Sequence, residues 1–340
     1  MKQKTSSYIK NILFPSVLLS AIAGSLTGVL IFLFRNSASL VVKLSEHVFD
    51  QVRGIPHLIP LLLAGAWALG TLSALVLSFS NNCRGGGIPT AIAILRGLVE
   101  FHWIKSIFLL FASAMMTYLG GVPLGTEGPS VQMGTAMGRG TVKLFAKKSP
   151  EWDRYIMTGG ACAGFAAATG APLSGIFFGI EEAHRRFSPM LLLSASTAVI
   201  FGCSVTELLY FLTDDVSNLF ILPSIPMLPL SFIWTGIVVG LLCGLFAVGF
   251  TRVYNKAHHI FTQGLSKLSL FLKLPIVFTL VALIGYFSAE CLGTGHDLIE
   301  TILEGHGLWY LLIIALLVRA ILLIISNNAG VSGGLFIPSL

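Results

Sequence analysis

Charge is what this sequence has least of. Asp, Glu, Lys and Arg together make up 11% of its 340 residues, where an ordinary soluble domain carries roughly a quarter. A chain so poor in charge cannot coat a water-facing surface, which excludes an ordinary soluble globular protein. The five cysteines, Cys83, Cys162, Cys203, Cys243 and Cys291, are an odd number placed mostly in or beside apolar stretches. That excludes a disulfide framework and makes them small apolar packing residues. His184, His258 and His259 stand in basic stretches without HExxH spacing, so they are expected to be solvated and no metal ion or other cofactor is expected. No small-residue cleavage site follows the first apolar stretch, which is long enough to span a bilayer, so it is expected to be retained as an anchor.

Apolar residues are what the sequence has instead: they make up 55% of the chain, and mean hydropathy is +0.86. Windows at about 14–34, 58–79, 105–124, 190–205, 226–250, 272–289 and 307–326 approach the length needed to cross the hydrocarbon core with some tilt. Shorter segments at about 88–98, 128–143, 155–170 and 173–187, bounded by Gly and Pro, fall below it. Half-length pieces survive at membrane depth only where protein or a water-filled cavity surrounds them. The expectation is an all-α polytopic membrane protein with broken and half-length helices, which points to a transporter or channel.

Orientation follows from the basic residues. With Lys2, Lys4 and Lys10 in the cytoplasm, successive crossings put Arg96 and Lys105, Lys143 and Arg154, Arg185 and Arg186, and Arg252, Lys256 and Lys273 on that same side. Glu207, Asp214, Glu290 and Glu300 fall on the other. This split obeys the positive-inside rule, so the N-terminus is expected in the cytoplasm; the plasma (inner) membrane is the expected location. The net charge of +6 is accounted for by these loops, and no nucleic-acid partner is read from it.

One carboxylate stands out against this background. Leu124-Gly125-Thr126-Glu127-Gly128-Pro129-Ser130 opens a helix with a glutamate inside the apolar part of the chain. A Gly-rich turn feeding a helix start leaves backbone N–H groups without intrahelical partners at the positive end of the helix dipole, which suits an anion. The bland alternative is that Glu127 only supports the first turn of its helix. An ionisable residue at membrane depth is functional by default.

The chain also repeats itself. Gly85 and Gly87, followed by Leu95-Arg96-Gly97, recur as Gly293 and Gly295, followed by Leu303-Glu304-Gly305, each pair 208 positions apart. Gly125, Pro129 and Ser130 recur as Gly334, Pro338 and Ser339, 209 positions apart. By the charge argument the loop holding Arg96 lies inside and its counterpart holding Glu304 outside, so the repeats are inverted, an architecture that places substrate sites at the repeat interface. The expected organisation is a cytoplasmic tail over 1–13, a first membrane repeat over 14–210 and an inverted, incomplete second repeat over 211–340.

These same residues carry a family resemblance. Gly85-Gly86-Gly87-Ile88-Pro89 resembles the pattern GSGIP, Gly125-Thr126-Glu127-Gly128-Pro129 resembles G(K/R)EGP, and Gly334-Leu335-Phe336-Ile337-Pro338 resembles GxFxP. Between them, Gly170-Ala171-Pro172-Leu173-Ser174-Gly175 and Ile180-Glu181-Glu182 complete a resemblance to the CLC family of voltage-gated chloride channels and chloride/proton exchangers, running from about residue 14 to the last. The resemblance implies a CLC-type inverted-repeat fold and proton-coupled chloride antiport, with no enzymatic reaction. It implies an anion site formed by Gly86, Gly87, Ile88, Thr126, Gly128, Leu335, Phe336 and Ile337. Glu127 would be the gate, competing with chloride when ionised and carrying the proton. Glu182 would hand protons to the cytoplasm; the alternative is an ion pair between Glu182 and Arg185 or Arg186. Chloride or a similar anion, protons, the bilayer and, for a complete chain, a second copy in a homodimer are the implied partners.

Three departures qualify the resemblance. Gly86 stands where the pattern has a Ser whose hydroxyl donates to chloride, which predicts weaker anion discrimination. Thr126 stands where Lys or Arg is usual, removing a positive charge beside the gate. The sequence stops two residues after Pro338, so a C-terminally truncated member is expected, with a non-transporting protein or a passive anion channel as alternative readings. Gly330-Val331-Ser332-Gly333-Gly334 also matches the GxSxG of serine hydrolases and the GxSG of intramembrane proteases, but no His follows it, so catalysis is not expected.

Overall fold

The computed structural model describes residues 13–145, 150–214, 229–265, 267–293, 295, 302 and 309–335. They form eleven α-helices: α1 (Phe14–Gly54), α2 (Ile59–Ser78), α3 (Ile88–Leu95), α4 (Trp103–Leu119), α5 (Glu127–Phe145), α6 (Pro150–Thr169), α7 (Pro172–Phe178), α8 (Pro189–Leu212), α9 (Ile233–His259), α10 (Leu270–Phe287) and α11 (Trp309–Ala329). Proline at the first or second position starts α1, α2, α3, α7 and α8, where its missing N–H costs nothing and its fixed φ suits the helix. Among the described residues, six helical stretches are long and apolar enough to cross a membrane, and α4 is a shorter apolar helix. Every apolar window expected from the sequence holds a helix. The first differs in extent, since α1 runs on to Gly54 past the polar residues Arg35, Asn36, Lys43 and Glu46. Arg35 donates to the carbonyl of Ala167 at 3.1 Å and lies over the Tyr210 ring, so the charge is absorbed by the protein and the helix continues.

Apolar side chains gain little from leaving lipid, so helix association rests on close packing of small residues and on interhelical hydrogen bonds. The α5–α6 crossing is made by Gly134 and Gly138 against Gly160 and Gly164. A Cβ built at Gly134 would run into the Gly160 carbonyl, and one at Gly160 into that of Gly134. Gly24 and Gly28 of α1 meet Ala198 and Gly202 of α8 in the same way. Ser20 and Ser194 share a hydrogen bond at 2.8 Å, and Ser194 also donates to the Tyr155 carbonyl at 2.9 Å, so one polar chain ties α1, α6 and α8. Large side chains from α1, α2, α4, α10 and α11, among them Phe34, Leu77, Tyr118, Phe278 and Leu322, form the main buried cluster. In contrast, α9 buries none of its residues.

The inverted repeat appears in matched hydrogen bonds. A short 3-10 turn over Asn81–Cys83 follows α2, and another over Ala289–Cys291 follows α10; α2 and α10 lie against each other, with Gly70 facing Pro275. Gly85 N–H donates to the Gly330 carbonyl at 3.4 Å, and Gly293 N–H donates to the Gly121 carbonyl at 3.0 Å. Each residue of one bond stands 208 or 209 positions from its counterpart in the other. Gly125 and Gly334, themselves counterparts, exchange both bonds of an antiparallel bridge at 2.8 and 2.7 Å. The pairing of a residue with its own counterpart marks the pseudo-twofold axis.

Candidate functional site

Three glycine-rich loops meet on that axis. Gly85 and Gly87 have φ of +77° and +76°, a left-handed conformation that costs glycine little. Gly87 then starts α3, with its carbonyl accepting from Ala91 N–H at 2.9 Å. Side chains would not fit: a Cβ at Gly87 would strike the Gly128 carbonyl, one at Gly128 the Gly86 carbonyl, and one at Gly333 the Leu124 side chain. Gly333 N–H donates to the Gly85 carbonyl at 3.3 Å, and Tyr118 OH donates to the Gly125 carbonyl at 3.1 Å. Backbone from 85–88, 125–128 and 333–335 is thereby gathered into one seam.

Glu127 lies in this seam as the first residue of α5 and is 0% exposed. Its carboxylate rests against Gly125 and Gly334, close enough that a Cβ on either glycine would overlap it. Thr126 caps the helix, its carbonyl accepting from Ser130 N–H at 3.1 Å and from Ser130 Oγ at 2.8 Å. Of the sequence-predicted site residues, Gly86, Gly87, Ile88, Thr126, Glu127, Gly128 and Leu335 belong to these three loops and the helix starts they feed. Phe336 and Ile337 lie outside the described residues.

Beside Gly86 the structure places a side chain that the motifs do not point to. Asn327, near the end of α11, is 8% exposed. Its Oδ1 accepts from Tyr254 OH of α9 at 2.7 Å, while its Nδ2 has no hydrogen-bond partner among the described residues. A Cβ built at Gly86 would stand 3.3 Å from that Nδ2 and 3.9 Å from Leu335 Cδ1. The signal in the sequence is the polar run Ser326-Asn327-Asn328 inside an apolar helix.

Glu182 sits apart from the seam, in a π-helical turn over Gly179–His184 that follows α7. Such turns recur at functional sites. Arg185, which ends it, is held in the left-handed region at φ 51°. Arg96 donates to the main-chain carbonyls of Ala183 at 3.0 Å and Glu182 at 3.1 Å. The Glu182 side chain is exposed, and among the described residues it makes no ion pair with Arg185 or Arg186. An open cavity of about 730 Å³ lined by Arg96, Arg154, Tyr155, His184, Arg186, Ser188 and Leu191 adjoins this turn. Ser332, the serine of the GxSxG match, has a buried hydroxyl without a hydrogen-bond partner among the described residues. All five cysteines are free thiols.

Comparison with known proteins bears on this geometry. The H(+)/Cl(-) exchange transporter ClcA of Klebsiella pneumoniae (strain 342) is 28% identical over 332 residues, which is 95% of this chain and 69% of that protein. The ClcA protein of Salmonella arizonae is 27% identical with the same coverage. Among solved structures, a slow cyanobacterial Cl-/H+ antiporter superposes with a TM-score of 0.85 at 24% identity, over 95% of this chain and 76% of that one. A CLC-type fluoride/proton antiporter superposes with a TM-score of 0.79 at 18% identity, over 96% and 78%. The family described as voltage gated chloride channel matches residues 66–340, and with that match over most of its length this chain, a multi-pass integral membrane protein, belongs to the voltage gated chloride channel family, the CLC proteins.

Proposed function

We propose that this protein exchanges chloride for protons across the membrane, with Glu127 as the group on which the two ions compete. The observation that carries this is the burial of the Glu127 carboxylate at the start of α5, on the axis where loops from both repeats meet. Helix starts and backbone N–H groups make that seam attractive to one negative charge, supplied by the carboxylate or by an anion. When Glu127 is ionised it holds the position; when protonated it gains no such attraction and yields the place to chloride. One side chain thereby links anion entry to proton uptake. The printed names of the ClcA relatives support this reading. The anion would be held by Gly86, Gly87, Ile88, Thr126, Gly128, Leu335, Phe336 and Ile337.

Glu182 is assigned the cytoplasmic end of the proton path. In support, its side chain is exposed and makes no ion pair with the neighbouring arginines, which leaves it able to exchange protons with water. The same reading divides the chain into a tail over 1–13 and inverted repeats over 14–210 and 211–340, puts the N-terminus in the cytoplasm at the plasma (inner) membrane, and takes a homodimer as the working form. Flux measurements on protein reconstituted in liposomes test it: Glu127→Ala is expected to keep anion flux and lose proton movement. Proton movement unchanged in that variant would remove Glu127 from the assignment.

A further inference from the structure

We infer that the Asn327 side-chain amide supplies the anion-binding hydrogen bond in the space that Gly86 leaves without a hydroxyl, and that Tyr254 fixes the direction of that amide. The inference rests on the reading that Gly86 lines the anion site.

Asn327 is more than nine-tenths buried, yet its Nδ2 donates to nothing among the described residues. A buried amide nitrogen without an acceptor loses its bonds to water and gains none in return, so its persistence calls for an acceptor that the described residues do not contribute. The nitrogen faces Gly86, 3.3 Å from where a Cβ would be. Any side chain at 86 would begin in that space, and the side chain of Leu335, one of the residues proposed for the anion site, borders it as well.

The orientation is imposed by the partner on the other end of the amide. Tyr254 OH donates to Oδ1 at 2.7 Å, which holds the carbonyl end towards α9 and turns the donor end towards Gly86. His258, one helical turn on, shares a hydrogen bond with Asn328 at 2.9 Å, so α9 grips the end of α11 at two adjacent points. The Asn327 carbonyl accepts from Gly330 N–H at 3.0 Å, tying this residue to the loop that feeds the seam. An amide held this way presents N–H and no acceptor, the polarity an anion requires. Tyr254 is a positioning residue: without its hydroxyl the amide can rotate and present Oδ1, which repels an anion.

Two measurements test this. In crystals of the unaltered protein soaked in bromide, anomalous scattering is expected to place an ion beside Gly86 within hydrogen-bond distance of Asn327 Nδ2. Bromide beside Gly86 but out of reach of Nδ2 overturns the inference and leaves the site reading intact. Bromide absent from the neighbourhood of Gly86 overturns both. Calorimetric titration of chloride into detergent-solubilised protein is expected to show affinity at least tenfold weaker for Asn327→Leu and Asn327→Asp. Tyr254→Phe is expected to weaken it less, and Gly86→Ser is expected to restore binding in the Asn327→Leu background. Wild-type affinity in a correctly folded Asn327→Leu protein overturns the inference.

Discussion

Gly334→Ala offers a way to push the Glu127 carboxylate from its seat without altering Glu127 itself. A Cβ at Gly334 would stand 2.8 Å from Gly128 N and 3.2 Å from the Gly125 carbonyl, and closer still to Glu127 Oε2. The backbone cannot slide away, because Gly334 exchanges two hydrogen bonds with Gly125. The flexible carboxylate is the part that yields. Overpacking of this kind costs about 1–3 kcal/mol. Displacing Glu127 should also uncouple the protein, so that liposome assays show chloride moving with fewer protons per ion. Removing the carboxylate relieves the worst contact but leaves the one with Gly128 N, so Gly334→Ala should destabilise the Glu127→Ala protein less than the wild type without becoming neutral. Unfolding titrations of the four proteins in detergent give the interaction energy between the two sites, expected within the range of about 0.5–3 kcal/mol typical of contacting residues. Effects that add to within about 0.5 kcal/mol would refute the contact and the seat it defines.

Further outcomes follow from other contacts. Glu182→Gln is expected to leave chloride flux and thermal stability near wild type while abolishing chloride-driven proton transport; a stability loss with coupling intact would return Glu182 to a structural role. Gly134→Ala places a methyl group on the Gly160 carbonyl at the α5–α6 crossing and should destabilise by about 1–3 kcal/mol, read by unfolding titration, whereas Gly236→Ala, which meets nothing on α9, should be close to neutral. Arg319, 6% exposed on α11, donates to the carbonyls of Glu290, Leu292 and Gly293 at 2.8 to 3.0 Å. Arg319→Met leaves these carbonyls short of donors and should cost about 3 kcal/mol or more, seen as a sharp loss of folded protein on size-exclusion chromatography.

Much of the fold could be read from composition because the membrane imposes it. Long apolar windows must be helices there, and the Gly and Pro boundaries around 88 and 172 locate the short ones, α3 and α7. In contrast, α5 and α6, expected to be half-length, run 19 and 20 residues, because their small and polar residues are packed inside the protein and lower hydropathy without ending the helix. The repeat offset identifies Gly125 and Gly334 as counterparts, and they pair with each other in the structure, which the offset alone does not dictate. Extent was less legible: polar residues at 35, 36, 43 and 46 interrupt hydropathy without interrupting α1, because a helix needs only its own backbone bonds and these side chains find partners or water. The π-helical turn around Glu182 leaves no periodic signature in six residues. Asn327 was missed for a different reason. Its place beside Gly86 depends on α9 docking through Tyr254, a contact between residues 73 positions apart that no local pattern encodes.

We propose that one buried carboxylate, Glu127, couples two ions. This coupling is tested most directly by uphill transport: liposomes containing the unaltered protein, a chloride gradient across the bilayer, no initial proton gradient, and a pH-sensitive dye inside. Chloride running down its gradient is expected to drive protons in the opposite direction until a pH difference stands, and Glu127→Gln is expected to dissipate the chloride gradient with no pH change. A standing pH difference in the Glu127→Gln protein, or chloride flux without proton movement in the unaltered one, would contradict it.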